Sequence, residues 1–170
     1  MNLIREKYNN IISKLDFKSL IFSFTIVILA FFFDRISKIK IIEHQLKNDP
    51  IYINDYINFE LVWNTGVGFG FLSSSSPIFY HSISTVIGAI LIFIIFLIVK
   101  SNLYEKITYS LVLGGAMGNL YDRITYNAVP DFIDIHYERF HWFTFNIADI
   151  FISIGILLLI LKELLKNEKN

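Results

Sequence analysis

The sequence predicts a mainly α-helical membrane protein with four transmembrane helices and a small extracytoplasmic β-sheet between the first and second helices. The 170-residue chain is 54% hydrophobic, only 18% charged, and has a mean hydropathy of +0.53. A soluble domain of this length would carry more charge. Four separate segments are apolar over the roughly 20 residues that a helix needs to cross a bilayer. One further segment alternates in the manner of short strands.

The four predicted spans are residues 18–40, 78–99, 106–124 and 146–165. The apolar core of the first, LIFSFTIVILAFFF, is followed by Asp34, Arg35 and Lys38 rather than by a small-residue cleavage site, so it is not a removable leader. The third span is the least apolar because it contains Asn119 and Asp122. We expect residues 1–170 to form a single membrane domain.

The distribution of Lys and Arg predicts the orientation of the spans. Nine of these residues lie in the two termini and the short connection between spans two and three, whereas six lie in the other two, longer connections. Positive residues favour the cytoplasmic side. Both termini are therefore predicted to be cytoplasmic, and loops 41–77 and 125–145 to be extracytoplasmic. Within the first loop, IYINDYINFELVW (51–63) has the alternation of short strands.

Composition excludes several kinds of site. The net charge is zero, which gives no nucleic-acid footprint. The absence of cysteine excludes disulfides, thiolate metal sites and a cysteine nucleophile. Four scattered histidines without an H-E-x-x-H pattern do not predict a zinc site. We therefore expect no metal and no cofactor.

The polar residues of the spans and loops converge on one depth, the outer membrane interface. They are Asp34, Lys38, Asn64, Asn119, Asp122, Arg123, Asp131, Asn146 and Asp149. Ionisable groups inside a membrane are costly, which makes them candidates for function. Each also has a purely structural interpretation. Asp34 and Lys38 are spaced as a helical ion pair, and Arg123 is long enough to reach lipid headgroups.

Other polar residues have structural interpretations as well. Asn146 is suited to cap the fourth helix, and Asp149 to complement its dipole. Gly114 and Gly118 form a small-xxx-small pair that favours close helix packing. Asp134 reads as an ordinary loop charge, and His136 and His141 as interfacial residues of an aromatic loop.

The chemistry that these residues allow is that of a carboxylate pair. Two aspartates that share one proton supply a general base and a general acid without a cofactor. Spacing alone allows any two of Asp34, Asp122, Asp131 and Asp149 to form the pair. A small transporter and a non-catalytic lipid-binding protein are the alternatives, although a transporter should place polar groups along the whole depth of its helices.

Five blocks occur in an informative order: DRISK (34–38), NTGVGFG (64–70), GGAMGNLYDR (114–123), VPDFID (129–134) and FNIAD (145–149). With them, and over nearly its full length, the chain resembles the bacterial lipoprotein signal peptidases (signal peptidase II), which are aspartic endopeptidases. Gly68 and Pro130 differ from the residues usual in that family.

The resemblance implies that Asp131 and Asp149 are the catalytic dyad and that Asp134 is not part of it. The positions it implies as substrate-binding or site-shaping are Asp34, Lys38, Asn64, Gly66, Asn119, Asp122, Arg123, Asn146 and Ala148. The implied substrate is a diacylglyceryl-modified prolipoprotein, cleaved on the N-terminal side of the lipidated cysteine. The implied location is the bacterial cytoplasmic (inner) membrane, where a monomer in contact with membrane lipids would hold its active site near the outer leaflet.

Overall fold

The computed structural model describes residues 16–66 and 77–167 of the chain. Within this part the elements are, in order, α1 (Phe17–Gln45), β1 (Ile51–Asn54), β2 (Ile57–Asn64), α2 (Pro77–Lys100), α3 (Leu103–Tyr126), β3 (Val129–Tyr137), β4 (Phe140–Phe145) and α4 (Ile147–Asn167). Each helix overlaps one of the segments predicted to span the membrane, and α4 begins one residue later than predicted. Gly68 and the rest of NTGVGFG beyond Gly66 lie outside the described residues.

Helix α3 lies at the centre and packs against each of the other three helices. Its glycines permit this close packing. A Cβ atom on Gly114 would lie 2.7 Å from the Cβ of Ala30 in α1, and one on Gly115 would lie 2.5 Å from the carbonyl oxygen of Ala148 in α4. The prediction that the small residues of GGAMG serve helix packing is therefore confirmed.

The helices bury a narrow core and expose broad apolar faces. Val27, Leu91, Ile98 and Leu113 form the buried cluster between α1, α2 and α3, whereas Ile92 on α2 is 71% exposed. Two helical segments, 17–45 and 81–100, are long and apolar enough to cross a membrane by length and composition. The other two helices have charged residues near their ends, such as Glu105 in α3 and Lys162 in α4.

The four strands form one antiparallel sheet in the order β1-β2-β3-β4. The prediction that the sheet lies only between the first two helices was incomplete, because β3 and β4 come from residues 129–145. Pairing of β2 with β3 sets Val62 opposite Asp131 and Asn64 opposite Val129. Strand β4 ends at Phe145, immediately before α4. The sheet thus delivers residues of both predicted extracytoplasmic loops to the start of α4.

Candidate active site

Asp131 lies on β3 and is only 3% exposed. Both of its carboxylate oxygens accept hydrogen bonds from amides: Asn64 Nδ2 donates to Oδ2 at 2.9 Å, and Asn146 Nδ2 donates to Oδ1 at 2.6 Å. Burial and the nearby carboxylate of Asp149 raise the pKa of Asp131 to about 6, although the two amide donors oppose this shift. Asp131 therefore exchanges a proton within the ordinary working range of an enzyme.

Asp149 is fixed by the first turn of α4. The side chain of Asn146 accepts from the Asp149 N–H at 3.1 Å, and the Asn146 N–H donates to Asp149 Oδ2 at 3.1 Å. This reciprocal pair is a capping box, in which each side chain satisfies an N–H that the helix leaves free. Asn119 Nδ2 donates to the other oxygen, Oδ1, at 2.8 Å. The expected capping role of Asn146 is confirmed, and the same side chain also contacts Asp131, so it links the two acids.

Beneath the two acids lies a second group of charges around Lys38, which is fully buried. Lys38 Nζ donates to the Asp34 carboxylate at 2.9 Å, to Asn119 Oδ1 at 2.8 Å and to Asp122 Oδ2 at 2.7 Å. Three donors thus meet three acceptors, which is the complete capacity of an ammonium group. The Asp34–Lys38 pair is therefore more than an edge-of-membrane ion pair, because it holds the side chain of Asn119 that binds Asp149.

Asp34 also connects α1 directly to the start of α4. Its Oδ1 accepts from the Ala148 N–H at 3.0 Å, so Ala148 contributes through its backbone. A Cβ atom on Gly118 would lie 2.3 Å from Asp34 Oδ2. Gly118 is therefore required for the carboxylate of Asp34 to approach α3 this closely. Asp34 thus braces the site through Lys38 and through the backbone amide of Ala148.

Arg35 belongs to this buried group, although the sequence analysis did not include it among the site residues. Its guanidinium pairs with Asp122 and lies 4.8 Å from the ring centroid of Tyr121. Charge counting could have found it. Asp34 and Asp122 bring two negative charges, Lys38 brings one positive charge, and buried charges are costly unless they are balanced.

Arg123 and Gly66 stabilise the turn that carries Asn64. Arg123 is 6% exposed, and its Nη2 donates to the Gly66 carbonyl oxygen at 3.1 Å. The Gly66 N–H in turn donates to Asn64 Oδ1 at 2.8 Å. Arg123 therefore points into the protein rather than out to lipid headgroups, and it fixes the amide that binds Asp131.

A cavity of about 410 Å³ lies beside the two acids, between α2, α3 and α4. Its polar end is lined by Asn64, Asn119, Arg123, Asp131, Asn146 and Asp149. The rest of the wall is mostly apolar and includes Leu91, Ile94, Val112, Ile152 and Ile156. The arrangement suits a ligand whose polar reacting group meets the acids while an apolar part lies between helices.

Asp134 does not line this cavity and is not the solvated loop charge that was expected. It is 2% exposed and lies 2.8 Å from His141 Nδ1 and 3.4 Å from His136 Nδ1. Its position on β3 is three residues beyond Asp131, and side chains an odd number apart in a strand point to opposite faces. The sheet therefore separates Asp134 from the two acids of the cavity.

Comparisons with known proteins agree with this architecture. A bacterial membrane enzyme solved by the in meso method at 2.3 Å resolution superposes with a TM-score of 0.72 at 30% identity, over 87% of this chain and 90% of that one. A second such structure, at 1.9 Å, gives a TM-score of 0.67 at 31% identity, over 84% of this chain and 92% of that one. The chain is thus a membrane protein with the fold of these bacterial enzymes.

Sequence similarity narrows the class to a family. The family described as "Signal peptidase (SPase) II" matches residues 26–165. A lipoprotein signal peptidase of Pelagibacter ubique (strain HTCC1062) is 45% identical over 93% of this chain and 96% of its own length. One from Coxiella burnetii (strain RSA 331 / Henzerling II) is 36% identical over 81% and 86%. The chain belongs to the signal peptidase II family of proteases.

Proposed function

We propose that this protease removes the signal peptide from diacylglyceryl-modified prolipoproteins and that Asp131 and Asp149 are its catalytic dyad. The observation that carries the proposal is the shared setting of the two acids. Asn146 contacts both, both line one cavity, and the contacts that fix them come from neutral amides rather than from cations. Such a pair can hold one proton between its members, as acid–base hydrolysis requires.

In the proposed reaction Asp149 is the ionised member, because the N-terminus of α4 favours a negative charge there. Asp149 takes a proton from water, and the water oxygen attacks the carbonyl carbon of the residue before the lipidated cysteine. Asp131, protonated, gives its proton to the carbonyl oxygen, which yields a gem-diol. Asp149 then passes its proton to the leaving nitrogen as the C–N bond breaks, and the diol returns a proton to Asp131.

The remaining polar residues orient the dyad and the substrate. Asn64, Asn119 and Asn146 hold the acids, Lys38 and Asp34 hold Asn119 and α4, and Arg123 with Gly66 holds Asn64. Asp122 and Arg35 balance the buried charge. The apolar cavity wall supports binding of the apolar part of the signal peptide. The peptide bond to be cleaved would lie at the polar end of the cavity, because only there would its backbone find amide and carboxylate partners.

The proposed setting is the bacterial inner membrane, with four spans and both termini in the cytoplasm. The apolar outward faces of α1, α2 and α4 support this arrangement; on α4, Leu157 is 56% and Leu164 is 59% exposed. Positive residues near the α2–α3 connection and the end of α4 favour the cytoplasm for those ends. The dyad at the start of α4 then lies near the outer leaflet, where the acyl chains of a lipidated cysteine reside. The protein acts as a monomer without metal or cofactor in this proposal.

The test is cleavage of a purified lipidated prolipoprotein by the full chain in detergent. Release of the signal peptide is measured as a gel shift. We expect Asp131→Asn and Asp149→Asn each to lower kcat by about 10²–10⁴-fold or more, the range of a lost general acid or base. Asp134→Asn is the matched control, because it changes a buried aspartate of the same strand on its other face. It should retain near wild-type cleavage.

Full activity in either Asp131→Asn or Asp149→Asn would overturn the dyad. Cleavage of the lipidated substrate but not of an unmodified one would support the proposed substrate class. Thermal unfolding of each variant distinguishes lost chemistry from lost folding.

A further inference from the structure

A second cluster of chemically active side chains lies on the sheet, away from the dyad. It consists of Asp134 and His136 on β3 and His141 on β4. One potential ligand atom from each residue lies within 4.8 Å of the other two. The cluster contains two of the four histidines of the chain. The four histidines are scattered along the sequence and so predicted no zinc site, but the hairpin of β3 and β4 brings two of them together.

Strand geometry explains why these three residues meet. Asp134 and His136 are two apart on β3 and therefore share one face. Strand β4 contains a register shift: Ile135 pairs with Phe143, but His136 pairs with His141. One extra residue, Trp142, is thus inserted on β4, and such a bulge re-aims neighbouring side chains. Without it Trp142 would oppose His136. The bulge instead brings the His141 ring to 5.4 Å from the His136 ring, between centroids.

One of the donor separations matches that of a tetrahedral zinc ion, and a second is somewhat shorter. Zn²⁺ binds imidazole nitrogen and carboxylate oxygen at about 2.0–2.2 Å, so two ligands of one ion lie about 3.3 Å apart. Asp134 Oδ2 lies 3.4 Å from His136 Nδ1 and 2.8 Å from His141 Nδ1. The shorter separation must open by about half an ångström for shared ligation. His141 has room to do so, because its side chain is 54% exposed.

Two buried atoms without partners point to the same ligand. His136 is 8% exposed, and its Nδ1 has no hydrogen-bond partner among the described residues. Asn58 Oδ1 is likewise without a partner in that part of the chain, while Asn58 Nδ2 lies 3.5 Å from His136 Nε2. Turning the Asn58 amide by half a revolution exchanges its oxygen and nitrogen. His136 Nε2–H then donates to Asn58 Oδ1, and Nδ1 presents a lone pair towards Asp134.

We propose that Asp134, His136 and His141 form a binding site for Zn²⁺ or a similar divalent transition-metal ion, with water as a further ligand. Two imidazoles select such ions over Mg²⁺ and Ca²⁺, which prefer oxygen ligands. Asn58 is the supporting residue that fixes the His136 ring, as outer partners of ligating histidines commonly do. The ion would fasten β4 to β3 on the face opposite Asp131. It plays no part in peptide cleavage, so the proposal does not rest on the proposed dyad.

The experiment uses the full chain in detergent, purified through an affinity tag that contains no histidine and freed of metal with EDTA. Titration calorimetry with Zn²⁺ should show one saturable site per chain. Co²⁺ should give the visible absorption of a tetrahedral complex. Thermal unfolding should occur at a higher temperature with Zn²⁺ than without it, because an ion that binds only the folded state stabilises it.

Variants assign the ligands. His141→Ala and Asp134→Asn each remove a direct ligand and should lower the Zn²⁺ affinity by more than about 100-fold, whereas Asn58→Ala should lower it by about 10–100-fold. His44→Ala is the control, because it removes an imidazole from the end of α1 and should bind Zn²⁺ as the wild type does. Unfolding of the metal-free variants shows whether they are folded.

Three outcomes would overturn the site. The first is that the wild type shows no saturable Zn²⁺ binding below about millimolar concentration, which is the weakest affinity of a dedicated metal site. The second is that His141→Ala binds Zn²⁺ as tightly as His44→Ala. The third is that His44→Ala loses Zn²⁺ binding. Cleavage of the lipidated substrate by wild type and His141→Ala in EDTA tests the proposed function separately.

Discussion

The site contains two pairs of aspartates that differ in what neutralises them. Asp34 and Asp122 are each paired with Lys38, and Asp122 also with Arg35, so two negative charges meet two positive charges. Asp131 and Asp149 instead accept hydrogen bonds from the amides of three asparagines and one backbone N–H. The first pair is thereby compensated by cations and serves structure. The second lies on a cavity, where we propose that it shares one proton.

The two pairs depend on each other through Asn119. Its Oδ1 accepts from Lys38 and its Nδ2 donates to Asp149. Lys38 holds the oxygen of the Asn119 amide, so the nitrogen of the same amide faces Asp149 and donates to it. The pair compensated by Lys38 therefore determines that Asn119 acts as a donor to Asp149. The charge balance around Lys38 and the geometry of the Asp131–Asp149 pair therefore depend on the same side chain, Asn119.

The largest effect is expected from removal of Lys38, the cation that Asp34 and Asp122 share. Lys38→Met keeps much of the volume of the side chain but leaves Asp34 and Asp122 with one cation between them. Breaking a buried ion pair on one side typically costs about 3–5 kcal/mol. We expect a loss of stability of that order in detergent, together with lower cleavage activity. Thermal or denaturant unfolding measures the first effect and the gel shift the second.

Lys40→Met is the control for that substitution. Lys40 lies two residues further along α1 and is exposed, so its replacement should change the free energy of unfolding by about 0.5 kcal/mol or less. If Lys38→Met were as stable as Lys40→Met, the charge compensation described for Asp34 and Asp122 would be wrong.

A smaller effect is expected from crowding the compensated pair without changing its charge. Gly118→Ala places a methyl group 2.3 Å from Asp34 Oδ2, which accepts from Lys38, while Oδ1 of the same carboxylate accepts from the Ala148 N–H. Overpacking of this kind costs about 1–3 kcal/mol. Gly88→Ala on α2 is the matched control, because nothing lies within 4 Å of a Cβ atom there. If the two variants unfolded at the same midpoint, the close approach of α1 and α3 would be contradicted.

Much of this arrangement was predictable from local sequence, and the rest depends on long-range pairing. The blocks VPDFID and FNIAD resemble motifs of the signal peptidase II family, and this resemblance implied Asp131 and Asp149. Spacing alone had left four candidate acids open. The spacing of Asn146 and Asp149 fitted a helix start. The partner of Arg35, by contrast, lies 87 residues away. The sequence around Arg35 does not show that its side chain faces α3, because that depends on how α1 packs against α3.

Strands β3 and β4 were missed for a different reason. The stretch IDIHY (133–137) alternates polar and apolar residues, which indicates a strand. Its aromatic and aliphatic neighbours made the loop look interfacial instead. The meeting of Asp134, His136 and His141 depends further on the bulge at Trp142. Strand registers of that kind are set by the pairing of whole strands, so the sequence of this loop alone did not predict them.

The finest distinction between the two pairs is their response to pH. Burial and Asp149 raise the pKa of Asp131 to about 6, and the proposed reaction requires Asp131 in its protonated form. We therefore expect kcat/KM to fall as the pH rises through about 6.

Asn64→Ala should move that fall to higher pH. The Asn64 hydrogen bond favours the ionised carboxylate and so lowers the pKa of Asp131; its removal raises this pKa, by about one unit for the loss of one hydrogen bond to a charged group. Asn48→Ala is the control, because the side chain of exposed Asn48 donates to the backbone oxygen of His44 rather than to Asp131, so the substitution should leave the midpoint in place. Pre-steady-state rates measured across the pH range separate this shift from any change in substrate affinity. Activity that rose rather than fell as the pH passed about 6, with a midpoint that moved to higher pH in Asn64→Ala, would show that Asp131 acts in its ionised form. The roles of the two acids would then be exchanged.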